Sequence, residues 1–224
     1  TWYASWSDAV LKGLRYQRGM NYALCKLYER GVFENYDAFL LLTNDTELED
    51  KPIIKTFLDV FVKHPRVGLL SPCSQKWGEK FLFTEQDVLY FSFIHNNAYF
   101  LRKEFIKDIM QKTNPTFMNF LFDGENFRGY GAESEIIAKG YINDWASAIT
   151  NKVFTEENET YLLNDSDLIK TEHFDENQRL YLNEGREWMH SKYGFKSKWE
   201  MQLYVQLFYN QFFKYHPQLQ KYKI

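Results

Sequence analysis

The sequence contains only two cysteines, Cys25 and Cys73, and neither stands in a spacing typical of a metal site. Both lie among apolar residues, which predicts reduced thiols in a cytosolic protein. No apolar run reaches the roughly 20 residues that a membrane-spanning helix needs. No secretory signal peptide is visible either. The sequence therefore predicts neither a transmembrane segment nor a disulfide framework.

A strong excess of charge is also missing. The chain has 27 basic and 30 acidic residues and a net charge of −3, which gives no sign of an electrostatic nucleic-acid binder. Internal repeats and low-complexity tracts are absent as well. Aromatic side chains, in contrast, are abundant at 19% of the chain. Most aromatic residues build a core, but a surplus of Tyr and Trp can also line a groove for a polar, ring-shaped ligand.

The first half of the chain alternates short apolar runs with amphipathic segments. Residues 13–30 have an apolar face at helical spacing, and residues 38–42 form an apolar run that predicts a strand buried on both faces. A helix opened by Pro52 and a second short strand at 67–70 follow. This strand–helix–strand order predicts a right-handed parallel crossover unit.

The second half of the chain predicts further elements, but with less regular patterns. The predictions are antiparallel-type strands at 88–93 and 98–101, helices at 103–110, 131–140, 178–190 and 197–215, a strand at 145–149, a long aromatic loop at 111–130 and an irregular acidic segment at 151–175. A long loop in a compact domain is usually functional. The last helix is expected by default to pack on the domain; pairing with another subunit and contact with a membrane surface remain open alternatives.

Two places stand out as candidate sites. Asp45 follows the strand at 38–42, and ligands of open α/β sheets bind beyond the carboxyl ends of strands. Asp45 is therefore either a metal or substrate ligand or part of a polar turn that caps the next element. Arg15, Arg18 and Asn21 stand at the entrance of the first helix, where backbone amides suit a phosphate. The alternative there is solvated arginines at a polar helix start.

Seven short motifs occur in an informative order. They are Gly19-Met20-Asn21-Tyr22-Ala23, Thr43-Asn44-Asp45-Thr46, Gly68-Leu69-Leu70-Ser71-Pro72, Asn97-Ala98-Tyr99-Phe100-Leu101-Arg102-Lys103-Glu104-Phe105, Phe122-Asp123, Tyr130-Gly131-Ala132-Glu133-Ser134-Glu135 and Lys139-Gly140. In order and spacing they resemble the family 2 glycosyltransferases of GT-A fold, especially the bacterial rhamnosyltransferase-like branch. The resemblance covers residues 13–150.

The resemblance implies a Rossmann-like GT-A domain over residues 1–150, with a mixed, mainly parallel sheet flanked by helices. A flexible acidic segment and C-terminal helices, over residues 151–224, would pack on that domain. It further implies that the first nucleotide-binding strands of the family lie upstream of Thr1.

The same resemblance implies an activity. Such enzymes transfer a sugar from a nucleotide-diphosphate donor to a hydroxyl of a glycan or lipid-linked acceptor, with inversion at the anomeric carbon. A role in bacterial surface polysaccharide synthesis follows, in the cytoplasm or peripherally at the inner face of the membrane. The expected cofactor is Mg²⁺ or Mn²⁺, because the leaving diphosphate must be neutralised.

Site residues follow from the motif positions. Asp45 matches the last Asp of the family's metal motif, whose first Asp is replaced by Thr43, and His173 is expected to complete the metal site. Glu133 falls on the position of the catalytic base, although the family more often has Glu-Asp where this chain has Ala132-Glu133. Glu135 is the alternative base.

Further residues are assigned by position in the same way. Arg15, Arg18, Asn21 and Asn44 are expected to contact the donor diphosphate, and Asn96, Asn97, Asp123 and Tyr130 the acceptor and the sugar.

Three alternatives remain open at this point. The two glutamates can simply stabilise a helix N-terminus. The chain can be a non-catalytic GT-A-like domain that binds a glycan or scaffolds a complex. A nucleotidyltransferase on a related sheet is the third reading.

Overall fold

The chain folds into an α/β structure with a six-stranded mixed sheet, helices flanking it and a helical C-terminal part. The structure is a computed structural model that describes residues 4–95, 97–158, 160 and 173–224. The strands are β1 (Ala38–Leu42), β2 (Thr46–Leu48), β3 (Val67–Ser74), β4 (Val88–Tyr90), β5 (Ala98–Arg102) and β6 (Ala146–Glu157). The helices are α1 (Trp6–Lys12), α2 (Tyr16–Glu29), α3 (Ile53–Lys63), α4 (Lys103–Ile109), α5 (Ala132–Ile142), α6 (Phe174–Tyr193) and α7 (Lys198–Tyr215).

The strands lie in the order β1-β5-β3-β6-β2, and β4 also pairs with β6. Among these pairings only β3 with β6 is parallel, and the others are antiparallel. The expectation of a mainly parallel sheet is therefore wrong. The sheet is mostly antiparallel partly because β5 lies between β1 and β3 and runs opposite to both. Strands β1 and β3 run in the same direction, but the antiparallel strand β5 lies between them in the sheet, and the strand directly before α3 is β2, which runs opposite to β3.

Strand β1 is at an edge of the sheet and is not buried on both faces, which corrects the prediction made from its apolar run. Phe39 and Leu41 are buried, whereas Leu42 is exposed. This alternation is the pattern of a strand with one face on the core. After Leu42 the chain turns at Asn44 and Asp45 and continues directly into β2.

Strand β6 is longer than the sequence predicts and contains an offset. Pro72 of β3 pairs with Thr150, but the next residue, Cys73, pairs with Phe154, so residues 151–153 of β6 form a bulge against β3. The part of β6 before the bulge pairs with β4, and the part after it pairs with β2. Residue 150, the expected domain boundary, lies inside this strand. Residues 161–172 of the expected acidic segment lie outside the described residues.

The C-terminal helices pack on the rest of the chain. For the last helix this was the default prediction. Helix α7 lies against α5, and the Tyr209 hydroxyl donates a 3.0 Å hydrogen bond to the carbonyl oxygen of Tyr90. The side chains of Trp188 and Met189 in α6 form a second apolar cluster with Met201 in α7. Among the helices of the described residues, none combines the length and apolarity that crossing a membrane would need.

Candidate functional site

Several elements meet at the carboxyl edge of the sheet, which is the side at which strands end and not the side formed by an edge strand. Strands β1, β3 and β6 run in the same direction and end there, and β5 begins there. Helices α2 and α5 also begin at this edge, because each leads back to the start of a strand at the opposite edge. Their N-terminal ends carry the positive end of the helix dipole. This edge is where open α/β sheets bind ligands.

Glu133 lies in the first turn of α5 and is buried, with 4% of its surface exposed. Its Oε1 is 2.6 Å from Nζ of Lys198, at the start of α7. Its Oε2 is buried and accepts no hydrogen bond from the described residues. A buried carboxylate oxygen without a donor is unfavourable. The Oε2 atom therefore keeps an unused hydrogen-bond acceptor position inside the protein.

Three tyrosines lie within electrostatic range of this carboxylate. Burial and the negative charge of Glu133 raise the pKa of Tyr16 in α2 and of Tyr181 in α6. Burial, the neighbouring Tyr16 and Glu133 raise the pKa of Tyr99 in β5. The hydroxyl of Tyr99 is buried and lies beside that of Tyr16. All three phenols are therefore neutral at physiological pH and able to donate to or accept from a ligand.

Other buried polar atoms without partners lie at the same edge. Gln17 in α2 is fully buried, and neither its amide oxygen nor its amide nitrogen is hydrogen-bonded within the described part of the chain. Such atoms are rare in folded proteins. In the described residues they include side-chain atoms of Gln17, His95, Asn97, Ser147, Glu133 and Glu184. Gln17 in α2, Asn97 directly before β5 and Glu133 in α5 belong to elements that meet at this edge, so buried polar groups with unused hydrogen-bonding capacity occur together there.

Glu135 differs from Glu133 although both are buried in the same turn. Its Oε1 accepts hydrogen bonds from Nζ of Lys192 at 2.7 Å and from the hydroxyl of Tyr193 at 2.6 Å. The charge and the hydrogen-bonding capacity of this oxygen are therefore used inside the protein. Of the two candidate bases, Glu133 is the one with a fully buried oxygen that lacks a hydrogen-bond partner among the described residues.

Asp123 and Tyr130 lie next to these glutamates. The Oδ2 of Asp123 accepts hydrogen bonds from Trp188 Nε1 at 3.0 Å and from Lys192 Nζ at 2.5 Å. Burial alone would raise the pKa of Asp123, but these two hydrogen bonds, a third from the backbone N–H of Glu125 and the charge of Lys192 together lower it. The ring of Tyr130 has its centroid 5.0 Å from Nζ of Lys198. Tyr130 is therefore adjacent to the Glu133 ion pair, whereas Asp123 is engaged with α6.

Both arginines at the start of α2 form hydrogen bonds and cation–π contacts with other segments of the protein. Arg15 donates a 2.9 Å hydrogen bond to Asn177 Oδ1, and Arg18 donates a 2.8 Å hydrogen bond to the carbonyl oxygen of Gly124. Their guanidinium carbons lie 5.2 and 4.9 Å from the centroid of the Phe127 ring. These contacts connect α2 to the aromatic loop and to α6, so the alternative of freely solvated arginines does not describe them.

Asn21 is fully buried and uses its whole amide within the protein. Its Nδ2 donates to the carbonyl oxygens of Phe117 at 3.0 Å and Phe122 at 2.8 Å. Its Oδ1 accepts from the backbone N–H groups of Leu121 and Phe122, both at 2.9 Å. A carboxamide has two donors and two acceptor positions, so none remains for a diphosphate. The role expected for Asn21 is corrected here: it fixes the aromatic loop.

The Asp45 turn lies between β1 and β2 at the same edge. Asn44 is exposed and Asp45 is half-buried; the carbonyl oxygen of Asp45 accepts a 2.8 Å hydrogen bond from the N–H of Asn158. In the described part of the chain the Asp45 carboxylate forms neither a hydrogen bond nor an ion pair. The hydroxyl of Thr46 donates to the carbonyl oxygen of Asn97 at 2.7 Å, which fixes the turn against the start of β5. Asn96 lies outside the described residues.

The two expected metal ligands, Asp45 and His173, form no ion pair or hydrogen bond with each other among the described residues. His173 is exposed at the N-cap of α6. Within residues 4–95, 97–158, 160 and 173–224, no group of three or more His, Cys, Asp or Glu side chains could hold a metal ion. Mg²⁺ in nucleotide sites is commonly held by one or two carboxylates together with substrate phosphates. The unpartnered Asp45 carboxylate fits that arrangement.

Sequence reasoning missed several residues of this edge. Lys198, which binds the Glu133 carboxylate, follows a helix cap some 60 residues further on and carries no local signal. His95 and Glu79 are both buried, with His95 Nε2 3.4 Å from Glu79 Oε2. The sequence does not distinguish Tyr16, Tyr99 and Tyr181 from the many other aromatic residues of the chain. Each of these residues is distinguished by a contact with a residue distant in the chain, and a single sequence does not show such contacts.

Comparison with protein-family models, with curated proteins and with solved structures finds no match to this chain. The function is therefore inferred from the geometry of this edge and from the sequence motifs.

Proposed function

We propose that the chain is an inverting glycosyltransferase that moves a sugar from a nucleotide-diphosphate donor to a hydroxyl of a glycan or lipid-linked acceptor. The observation that supports this most directly is the Glu133 carboxylate. One of its oxygens is held by Lys198, and the other is buried without a partner in the described residues. It lies at the carboxyl edge of the sheet, among buried tyrosine hydroxyls. The order of the GT-A-like motifs adds to this support.

Glu133 would act as the general base. The acceptor oxygen forms a bond to C1 of the sugar, its proton moves to Oε2 of Glu133, and the bond from C1 to the donor diphosphate breaks. The nucleotide diphosphate leaves with the bonding electron pair, and attack from the opposite side inverts the configuration of C1. Lys198 keeps Oε1 occupied and thereby orients Oε2. The ring of Tyr130, next to Lys198, offers an apolar face to a sugar.

Asp45 would bind the diphosphate side of the donor through Mg²⁺ or Mn²⁺. When bound, the ion neutralises the negative charge of the leaving diphosphate. The protein's own contribution is a carboxylate held in a fixed turn, since Asn158 and Asn97 fasten the backbone on both sides of Asp45. The remaining ligands of the ion come from the donor phosphates and water.

The proposal is tested in two steps, of which the first is binding. Calorimetric titration of the purified protein with UDP, dTDP and GDP, with and without Mn²⁺, should identify one nucleotide that binds only with the metal. Asp45→Ala should weaken that binding by at least about tenfold, equal to about 1.4 kcal/mol. If no nucleotide diphosphate binds in a metal-dependent way, the proposal is wrong.

The second step compares the two glutamates. With the matching nucleotide sugar and a panel of octyl glycosides, Glu133→Gln should lower the release of nucleotide diphosphate by about 10²- to 10⁴-fold. Nucleotide binding should remain. Glu135→Gln is the matched control, because it alters a carboxylate buried in the same turn; it should lower thermal stability but retain transfer. Wild-type transfer in Glu133→Gln would refute the assignment of the base.

A second function, glycan binding without catalysis, is favoured by two observations. The ion pair with Lys198 occupies half of the proposed base, and Asp45 stands without a second carboxylate at Thr43. A domain of that kind would bind octyl glycosides but show no metal-dependent nucleotide binding. The same titrations therefore separate the two functions.

A further inference from the structure

The outward face of α7 carries large apolar side chains that remain exposed. Trp199, Leu203 and Leu207 are 80%, 69% and 67% exposed, and Tyr215 is 73% exposed. The first three are spaced by four residues and Tyr215 continues the same series, so all lie on one ridge of the helix. A strip of apolar side chains of this kind on a protein surface commonly marks an interaction site.

The residues of this face are arranged symmetrically about Leu207. Two pairs near the direction of Leu207 are equidistant from it along the chain: Glu200 and Lys214 at seven residues, and Leu203 and Gln211 at four. Trp199 and Tyr215, at eight residues, point about 80° to either side of it. Seven residues correspond to nearly two helical turns, so Glu200 and Lys214 each point within about 20° of the direction of Leu207. The face therefore has a negative end, an apolar centre and a positive end.

We propose that this face binds a second copy of the chain, with the two α7 helices antiparallel about a two-fold axis at Leu207. A two-fold interface presents the same patch on both copies, and it requires a patch that is complementary to itself. In this register Leu207 contacts the partner's Leu207. Glu200 lies level with the partner's Lys214, and the same ion pair forms a second time on the other side of the axis.

The charges on this face argue for a second copy over a lipid surface. A bilayer would have to accommodate the Glu200 carboxylate close to the line of the apolar residues, which is unfavourable. Membrane-bound amphipathic helices carry basic residues beside the apolar face, whereas this face has one charge of each sign. A second copy supplies the opposite charge to both. The apolar contact is short, so we place the dimer among interfaces below about 1,200 Å² that dissociate readily.

The inward face of α7 is separate from this surface. Met201, Val205 and Tyr209 are buried against the domain. Substitutions of Leu207 and Lys214, which lie two turns or more from Lys198, should therefore leave the fold and the Glu133 site intact. This separation permits a clean test with the whole chain.

The first test is disulfide cross-linking of Leu207→Cys. Two helices with axes 8–10 Å apart and Cα atoms about 2.3 Å from each axis bring residues on the two-fold axis within reach of a disulfide. Oxidation of this variant should give a covalent dimer, since both native cysteines are buried. Leu58→Cys, at an exposed position on α3, is the control and should remain monomeric. Equal cross-linking of the two variants, or none in either, would overturn the proposal.

The second test exchanges charges and is read by sedimentation velocity. Lys214→Glu places two carboxylates opposite each other and should raise the dimer dissociation constant at least about tenfold. Adding Glu200→Lys to that variant should restore the wild-type constant. Because the Glu200 carboxylate also accepts a 2.7 Å hydrogen bond from the N–H of Lys196, the melting temperature is measured in parallel. A monomeric wild-type protein, or a double variant no better than Lys214→Glu, would refute the antiparallel register.

Discussion

Replacing Asn21 by alanine should destabilise the protein strongly, because one amide holds four backbone groups of the aromatic loop. The substitution removes the hydrogen bonds to Phe117, Leu121 and Phe122. Each such bond contributes about 0.5–1.5 kcal/mol net, and a buried group left without a partner costs about 1–3 kcal/mol. Alanine has a higher helix propensity than asparagine, which offsets about 0.5 kcal/mol of this loss in stability. Allowing for relaxation at the half-buried Phe117, we expect a loss of about 3–5 kcal/mol in the free energy of unfolding.

Urea denaturation followed by circular dichroism measures this loss as a lower midpoint at unchanged slope. Asn44→Ala is the matched control, since Asn44 is exposed in the turn after β1 and should change stability by less than about 0.5 kcal/mol. Asn21→Asp separates the two halves of the amide: it keeps the acceptor oxygen and loses both donors. If Asn21→Ala costs less than about 1 kcal/mol, the loop does not depend on this residue and the structural role assigned to Asn21 is wrong.

Two further predictions concern ionisable groups. The pKa of Asp123 is lowered, so its ion pair with Lys192 stabilises the fold above the unfolded-state pKa of about 3.9, and this stabilisation is lost as the pH falls through the folded-state pKa. Lys192→Met should therefore be less stable than wild type at pH 7 in thermal melts, and the difference should shrink towards pH 3; a constant difference would contradict this. Burial raises the pKa of Cys25 to about 11 and of Cys73 to about 12, so neither thiol should react with Ellman's reagent at pH 8 until the protein is denatured. Rapid labelling of the native protein would show that one of them is accessible.

The positions of helices and strands could largely be predicted from the sequence, but the neighbours of each strand could not. The apolar run of β1 indicates a strand whatever its partner, because apolar content reports burial and not pairing. The strand β5 comes 55 residues after the end of β1 and still lies between β1 and β3. Nothing in the residues of β1 or β3 indicates that insertion. The mainly parallel sheet was the consequence of pairing strands by their order along the chain.

The candidate site shows the same limit. Glu133 and Glu135 stand two residues apart in equally polar surroundings, and the sequence offers no reason to separate them. Their difference arises from Lys192 and Lys198, which are contributed by different helices. Asn21 was assigned to a phosphate because it stands near a helix start, yet its partners lie about 100 residues further along the chain. Local sequence therefore identifies which residues are polar and near the site, and long-range contacts decide which of them are available.

The bulge in β6 makes the length of this segment more critical to the fold than its composition. Residues 151–153 separate the half of β6 that pairs with β4 from the half that pairs with β2. Deleting one of them would invert the side-chain alternation beyond the bulge and displace the β2 pairing by one residue, about 3.4 Å. The Asp45 turn, which is attached to that half, would move with it relative to Glu133. Substitutions at the half-buried Asn151 and Lys152 should thus be tolerated in related chains, whereas insertions and deletions should not.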